Sequence, residues 1–191
     1  MLRVLKIDSA GTPQSWLNME QAASLLCSND VSWTTGQTIA RMHGGWNRQG
    51  EQSFLDIPSV IGMKGRAAIN LADSVPSLGR HSNAKLFERD RHMCAYCGEV
   101  FSREKLTRDH VIPLSRKGKD EWENVVAACS RCNSHKAAKT PEEARMPLLY
   151  LPYRPNWFED FILQQGTRRI LADQMEFLAS RIPAKSRVLL T

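Results

Sequence analysis

Four of the five cysteines in this 191-residue sequence fall into two identical pairs, Cys94-Ala95-Tyr96-Cys97 and Cys129-Ser130-Arg131-Cys132, with 31 residues between them. A C-x-x-C pair sets two sulfurs on one tight turn, and four thiolates are a donor set for tetrahedral zinc. Closing both turns on one Zn²⁺ would staple a long loop without needing a large local core. Inside that loop lie Asp109-His110 and Asn124, and directly after the second pair comes Asn133-Ser134-His135-Lys136. An isolated Asp-His pair is commonly a turn or a surface ion pair, and a lone Asn is commonly a cap. Their joint occurrence inside a four-cysteine frame makes them candidates for chemistry. Cys27 stands outside the pattern and is expected to be a small buried apolar residue on a helix.

The elements that must position these residues can be read around them. Residues 107–114 and 120–126 have strand composition, and the polar stretch Ser115-Arg116-Lys117-Gly118-Lys119 between them reads as a loop. A short helix is expected over residues 133–139, ending before Thr140-Pro141. The result is a β-β-α unit with zinc closing its ends. On a helix, Asn133 and Lys136 lie roughly 300° apart and therefore close to one face, while His135 is turned by roughly 200° from Asn133. Asn133 is accordingly the preferred ligand over its rival His135. His92, beside the first cysteine pair, reads as a supporting donor or a surface residue, because four thiolates already complete a zinc site. His43 and His81 have no recognisable partners.

These residues and intervals resemble the HNH endonuclease family of the ββα-metal fold, in its Cys₄-zinc form. Asp109-His110, Asn124 and Asn133 in Cys129-x-x-Cys132-Asn133-x-x-Lys136 carry the likeness. The steps of 14 and 23 residues from His110 to Asn124 and to Asn133 look like those of the nuclease module in RNA-guided DNA-cutting enzymes. The close likeness covers about 60 residues; the flanks look, more loosely, like those of compact stand-alone bacterial HNH proteins. Position 133 is Asn where many members have His, a variant common in the family. The resemblance implies that His110 is a general base and that Asn124 fixes its loop and orientation. It also implies that Asp109 and Asn133 hold a catalytic divalent ion, Mg²⁺ or Mn²⁺, and that Cys94, Cys97, Cys129 and Cys132 hold a structural Zn²⁺. Elementary chemistry agrees: phosphodiester hydrolysis needs a deprotonated water and charge stabilisation on the phosphorus and leaving oxygens. A neutral imidazole can take a proton near pH 7, and a carboxylate with an amide oxygen is a hard donor pair.

The expected partner is DNA. Arg108, Arg116, Arg131 and Lys136 are the expected phosphate contacts, with Lys117, Lys119 and Lys139 near them, and such contacts position a duplex without reading its sequence. Net charge adds little to this. The formal charge is +6 with pI near 9.2, and although residues 85–145 hold 13 of the 26 Lys and Arg, they also hold 10 of the 20 Asp and Glu. Two other readings stay open: a Cys₄ zinc module that binds nucleic acid without cutting it, and an interaction domain in which zinc is purely structural.

The chain as a whole reads as α+β, with an N-terminal α/β flank at 1–82, the nuclease module at 83–145 and a C-terminal helical extension at 146–191. In the first flank, residues 3–8 read as a strand. Asn18 with Gln21 reads as the capping start of a helix, and Val31–Trp33 and Phe54–Ile61 read as extended segments joined through a Gly-rich connection around Gly44-Gly45. A short helix over 83–90, capped by Ser82 or Asn83, opens the middle segment. Pro141, Pro147, Pro152 and Pro155 predict an irregular run, followed by an amphipathic helix over 167–181 with Arg168, Arg169 and Asp173 left for solvent. No apolar stretch is long enough for a membrane span, and the early charges Arg3 and Lys6 argue against a signal peptide, so a cytoplasmic protein with reduced thiols is expected.

Overall fold

The computed structural model describes residues 2–65, 76–79, 83–183 and 186–188. The chain is α+β and divides into two compact units, one of residues 1–70 with 168–181, the other of residues 71–167 with 182–191. Among the described residues no helix is long and apolar enough to cross a membrane.

In the first unit, strands β1 (Val4–Ile7) and β2 (Pro13–Leu17) pair antiparallel. Helix α1 (Met19–Leu26) starts at the expected capping box, with Asn18 and Gln21 bonding each other's backbone. Strands β3 (Val31–Trp46) and β4 (Gln52–Met63) form one long hairpin, and β4 pairs parallel to β1 to give the order β2-β1-β4-β3. Gly44-Gly45 lies inside β3 and is not the connection. A Cβ on Gly44 would sit 2.4 Å from Ser53 Oγ, so glycine answers a close cross-strand approach there. The turn falls at 47–51, where Asn47 Oδ1 accepts the N–H groups of Gln49 and Glu51 and Gly50 has φ +79°. Cys27 is exposed, contrary to expectation, because α1 ends on it and its side chain leaves the apolar face.

The amphipathic stretch 167–181 is a 3₁₀ turn at 167–169 followed by α5 (Ala172–Ala179). The apolar spacing runs across this break, so periodicity alone could not mark it; Gln174 Oε1 accepts the Leu171 N–H where the helix begins. Asp173 is not a solvent residue: Oδ2 accepts from Ser59 Oγ (2.6 Å) and Gln37 N (2.8 Å). Ser59 and Gln174 are fully buried, and Gln174 donates to the carbonyls of Arg3 and Ser59.

The second unit opens with α2 (Ala84–Arg89). Asn83 precedes it without a side-chain capping bond, because its Oδ1 accepts from Arg108 Nε instead. The alternative cap Ser82, and His81, lie outside the described residues. Strands β5 (Leu106–His110) and β6 (Val125–Cys129) pair antiparallel, His110 opposite Val125 and Leu106 opposite Cys129. Helix α3 (Ser130–Lys136) follows immediately, beginning before Cys132 rather than after it, because the Cys129 sulfur caps it by accepting the Cys132 N–H. The expected β-β-α unit is present with these shifted ends. No helix is expected at α4 (Trp157–Gln165), yet Asn156 and Glu159 form a full capping box there. Its inner face includes buried Glu159, Asp160 and Gln165, which hide it from an apolar pattern.

Every residue of β6 is buried, and Leu86, Phe87, Leu106, Trp122, Val125 and Ala127 form one core cluster. Arg89 and Asp90, both fully buried, lie against it. Arg89 bonds both Asp90 oxygens and the carbonyls of Trp122, Tyr153 and Val125, and Asp90 Oδ2 accepts the Ala127 N–H. This pair fixes β6, the strand opposite the candidate catalytic residues.

Candidate active site and metal centre

The first knuckle is a tight turn closed by the Met93–Val100 bridge, with Cys94 N donating to Glu99 O and Gly98 at φ +76° donating back to Cys94 O. Ala95 N donates to Ala127 O (2.8 Å), which ties this knuckle to β6. The second knuckle spans the β6–α3 junction. The Sγ atoms of Cys94, Cys97, Cys129 and Cys132 all lie within 4.8 Å of one another. Zn–S bonds of about 2.3 Å imply tetrahedral S–S edges of about 3.8 Å, so the four sulfurs are close enough that a small contraction would close them on one ion.

The ionisation of the cluster points the same way. Burial pushes the Cys94 thiol up, but hydrogen bonds from the backbone of Cys97, Cys129 and Tyr96 outweigh it and bring Cys94 below its ordinary value. Burial raises Cys97 and Cys132, and the charge on Cys94 raises them further. Holding all four as thiolates therefore calls for a cation among them. Protein purified from cells without added metal is expected to carry one zinc per chain by elemental analysis; folded, soluble protein with far less would remove the staple.

Strand β5 presents its residues alternately. Thr107 and Asp109 meet α3: Asn133 Nδ2 donates to Thr107 Oγ1 (2.9 Å), and Lys136 Nζ donates to Asp109 Oδ1 (3.0 Å) and to the His110 carbonyl (2.8 Å). Asp109, 5% exposed, accepts on its other oxygen from Tyr96 OH at 2.5 Å. Burial first, and the Asp109 bond second, push the Tyr96 hydroxyl well above its ordinary range, so it stays protonated and donates. Arg108 and His110 meet Asp120 instead. His110 Nε2 lies 2.9 Å from Asp120 Oδ1, and Arg108 Nη1 bonds both Asp120 oxygens.

Asn124 closes the 111–124 loop. Its Oδ1 accepts the Ile112 N–H (2.9 Å), its Nδ2 donates to the carbonyls of Ile112 (3.0 Å) and Lys119 (2.8 Å), and its own carbonyl accepts the Val111 N–H. Gly118 permits this closure, since a Cβ there would fall 1.8 Å from Ile112 O.

A β-β-α unit framed by four cysteines, with Asp-His ending its first strand, is now in view. Residues 94–149 match the HNH endonuclease family. That stretch is similar to HNH endonucleases. A CRISPR-associated endonuclease Cas9 from Corynebacterium diphtheriae (strain ATCC 700971 / NCTC 13129 / Biotype gravis) is 33% identical over 86 residues, covering 39% of this chain. The chain spans 8% of that relative's length.

Within the segment that matches, Asp109 and Asn133 both bond across the β5–α3 seam, while the His110 ring meets Asp120. As a hard-cation site the seam fits by donor type: the Asp109 carboxylate has lone pairs beyond the two in use, and Asn133 Oδ1 is an amide oxygen. The Lys136 ammonium already sits on Asp109 Oδ1, so an ion there must share that oxygen, take the remaining lone pair of the Tyr96-bonded Oδ2, or displace the lysine.

Lys136, expected as a phosphate contact, is fully buried, and its ammonium bonds Asp109 and the His110 carbonyl at the end of β5. Arg108 is likewise engaged, by Asp120, Asn83 and the Gly79 carbonyl. Arg116 pairs with Glu143 in the open (2.6 Å), and Arg131 is exposed. Two residues at this site escape sequence reasoning. Tyr96 carries a hydroxyl between two clustered cysteines, a sign that could have marked it. Asp120 stands ten positions after His110 with no local pattern, and only loop closure brings it there.

Proposed function

We propose that this chain is a divalent-metal-dependent DNA endonuclease. The observation that supports it most is a β5–β6–α3 unit with Asp109 and Asn133 on one seam, His110 at the strand end and four clustered thiols framing them, in a segment matching HNH endonucleases. His110 takes the proton of the attacking water, which adds to phosphorus as the bond to the 3′ oxygen breaks; that oxygen takes a proton from solvent, leaving 5′-phosphate and 3′-hydroxyl ends. Asn124 keeps the 111–124 loop in register so that the imidazole is held against the substrate. Asp109 and Asn133 would hold Mg²⁺ or Mn²⁺, which neutralises charge on the phosphoryl and leaving oxygens when bound. Exposed Arg131 and Arg116 guide the phosphate backbone.

One observation favours a second reading, a Cys₄ module that binds nucleic acid without cutting: both Asp109 oxygens are already bonded, one of them to a buried ammonium. Supercoiled plasmid separates the two. Zinc-replete protein is expected to give nicked or linear products with added Mg²⁺ or Mn²⁺ and none without a divalent ion. Retarded but uncut plasmid under both conditions would establish the second reading.

A further inference from the structure

We propose that Asp120 is a positioning residue that holds the His110 imidazole in its Nε2–H tautomer and leaves Nδ1 as the nitrogen that accepts a proton. The role rests on the reading of His110 as the general base, and it goes beyond that reading by naming the atom and the group that orients it.

A neutral imidazole has one N–H and one lone pair, and the partner of one nitrogen decides which is which. Asp120 Oδ1 stands 2.9 Å from Nε2. A carboxylate only accepts, so Nε2 is the donor and the lone pair falls on Nδ1. Burial raises the Asp120 carboxyl, but the hydrogen bonds from His110 and Arg108 outweigh it and keep it below the usual carboxylate range, hence anionic near neutrality.

The carboxylate is also braced. Both its oxygens receive Arg108 Nη1, at 2.8 and 2.9 Å, and Arg108 is itself tied by Nε to Asn83 Oδ1 (2.9 Å) and by Nη2 to the Gly79 carbonyl (2.8 Å). The chain just before Asp120 is pinned where Asn124 Nδ2 donates to the Lys119 carbonyl. At the other end, Lys136 Nζ grips the His110 carbonyl. The imidazole is therefore fixed through its backbone by α3 and through its ring by the 111–124 loop. With 17% of the His110 side chain exposed, the ring remains open to a water molecule. When Nδ1 takes a proton, the positive charge on the ring lies beside an anion that needs no rearrangement to stabilise it.

The test uses the zinc-replete full chain and Asp120→Asn, which keeps the shape and removes the charge. Plasmid cleavage by Asp120→Asn is expected to lose about 10–100-fold in kcat, the usual cost of losing a group that orients a functional histidine, with KM, zinc content and Tm little changed. Asp120→Glu should recover much of the rate. Independently of cleavage, ¹⁵N NMR of histidine-labelled protein, with His110 assigned by its absence from His110→Ala, should show Nε2 protonated in wild type and a shift toward the other tautomer in Asp120→Asn. Wild-type kcat in Asp120→Asn, a change confined to KM, or an Nδ1–H ring in wild type would each overturn the proposal. Absence of cleavage by wild type alongside the expected NMR pattern would instead sink the nuclease reading and leave the tautomer assignment standing.

Discussion

His110→Ala is expected to bind DNA, keep its zinc and its melting temperature, and cut about 10²–10⁴-fold more slowly than wild type. Among the hydrogen-bond partners described its imidazole bonds Asp120 alone, and it belongs to no core cluster, so its removal leaves the core untouched. Cys129→Ala should fail differently. Cys129 is 4% exposed, contributes one of four clustered sulfurs, and caps α3 through the Cys132 N–H. Losing it takes away the zinc staple and the helix start together, so stability, DNA binding and cleavage should fall in parallel, because metal affinity at such a site is folding energy. Asn133→Ala should fold and need more Mg²⁺, since Asp109 alone remains on the seam. Plasmid cleavage, gel retardation, zinc content and thermal melts on the three proteins give the comparison. If His110→Ala, free of host nuclease, cuts at the wild-type rate, the proposed mechanism is wrong.

Arg89→Ala should be the most damaging substitution outside the metal centre. The guanidinium is fully buried, bonds both oxygens of buried Asp90, satisfies three backbone carbonyls, and stacks near the rings of Trp122 (5.3 Å) and Tyr153 (5.6 Å). Truncation strands an anion and three acceptors in the core, a loss on the order of 3–5 kcal/mol, which is a large part of the roughly 5–15 kcal/mol that holds a domain folded. A fall in Tm of roughly 10 °C or more is expected by calorimetry. A Tm within about 2 °C of wild type would show that β6 does not depend on this pair.

The N-terminal helix was legible because its signal is local: Asn18 and Gln21 lie three residues apart and bond each other. The four-cysteine cluster was legible because each half is a turn of four residues, whose spacing survives any tertiary arrangement. Asn124 and Asn133 have no local motif of their own and were singled out through family intervals, Asn133 also by sharing a helix face with Lys136. Helix α4 was missed because buried Glu159, Asp160 and Gln165 obey hydrogen-bond partners rather than an apolar period. The helix over 167–181 was drawn too long because apolar spacing does not report a backbone break.

The sequence by itself determined which residues could bind metal or carry a proton, because those capacities belong to the side chains and their short spacings. Tertiary structure decided how the charges are spent. Whether Lys136 reaches solvent, whether Arg108 is free, and what faces His110 depend on the strand alternation of β5, on where α3 crosses it, and on how Asn124 and Gly118 close the loop that delivers Asp120. These are distances between residues 10 to 30 positions apart in the chain, and no local propensity encodes them.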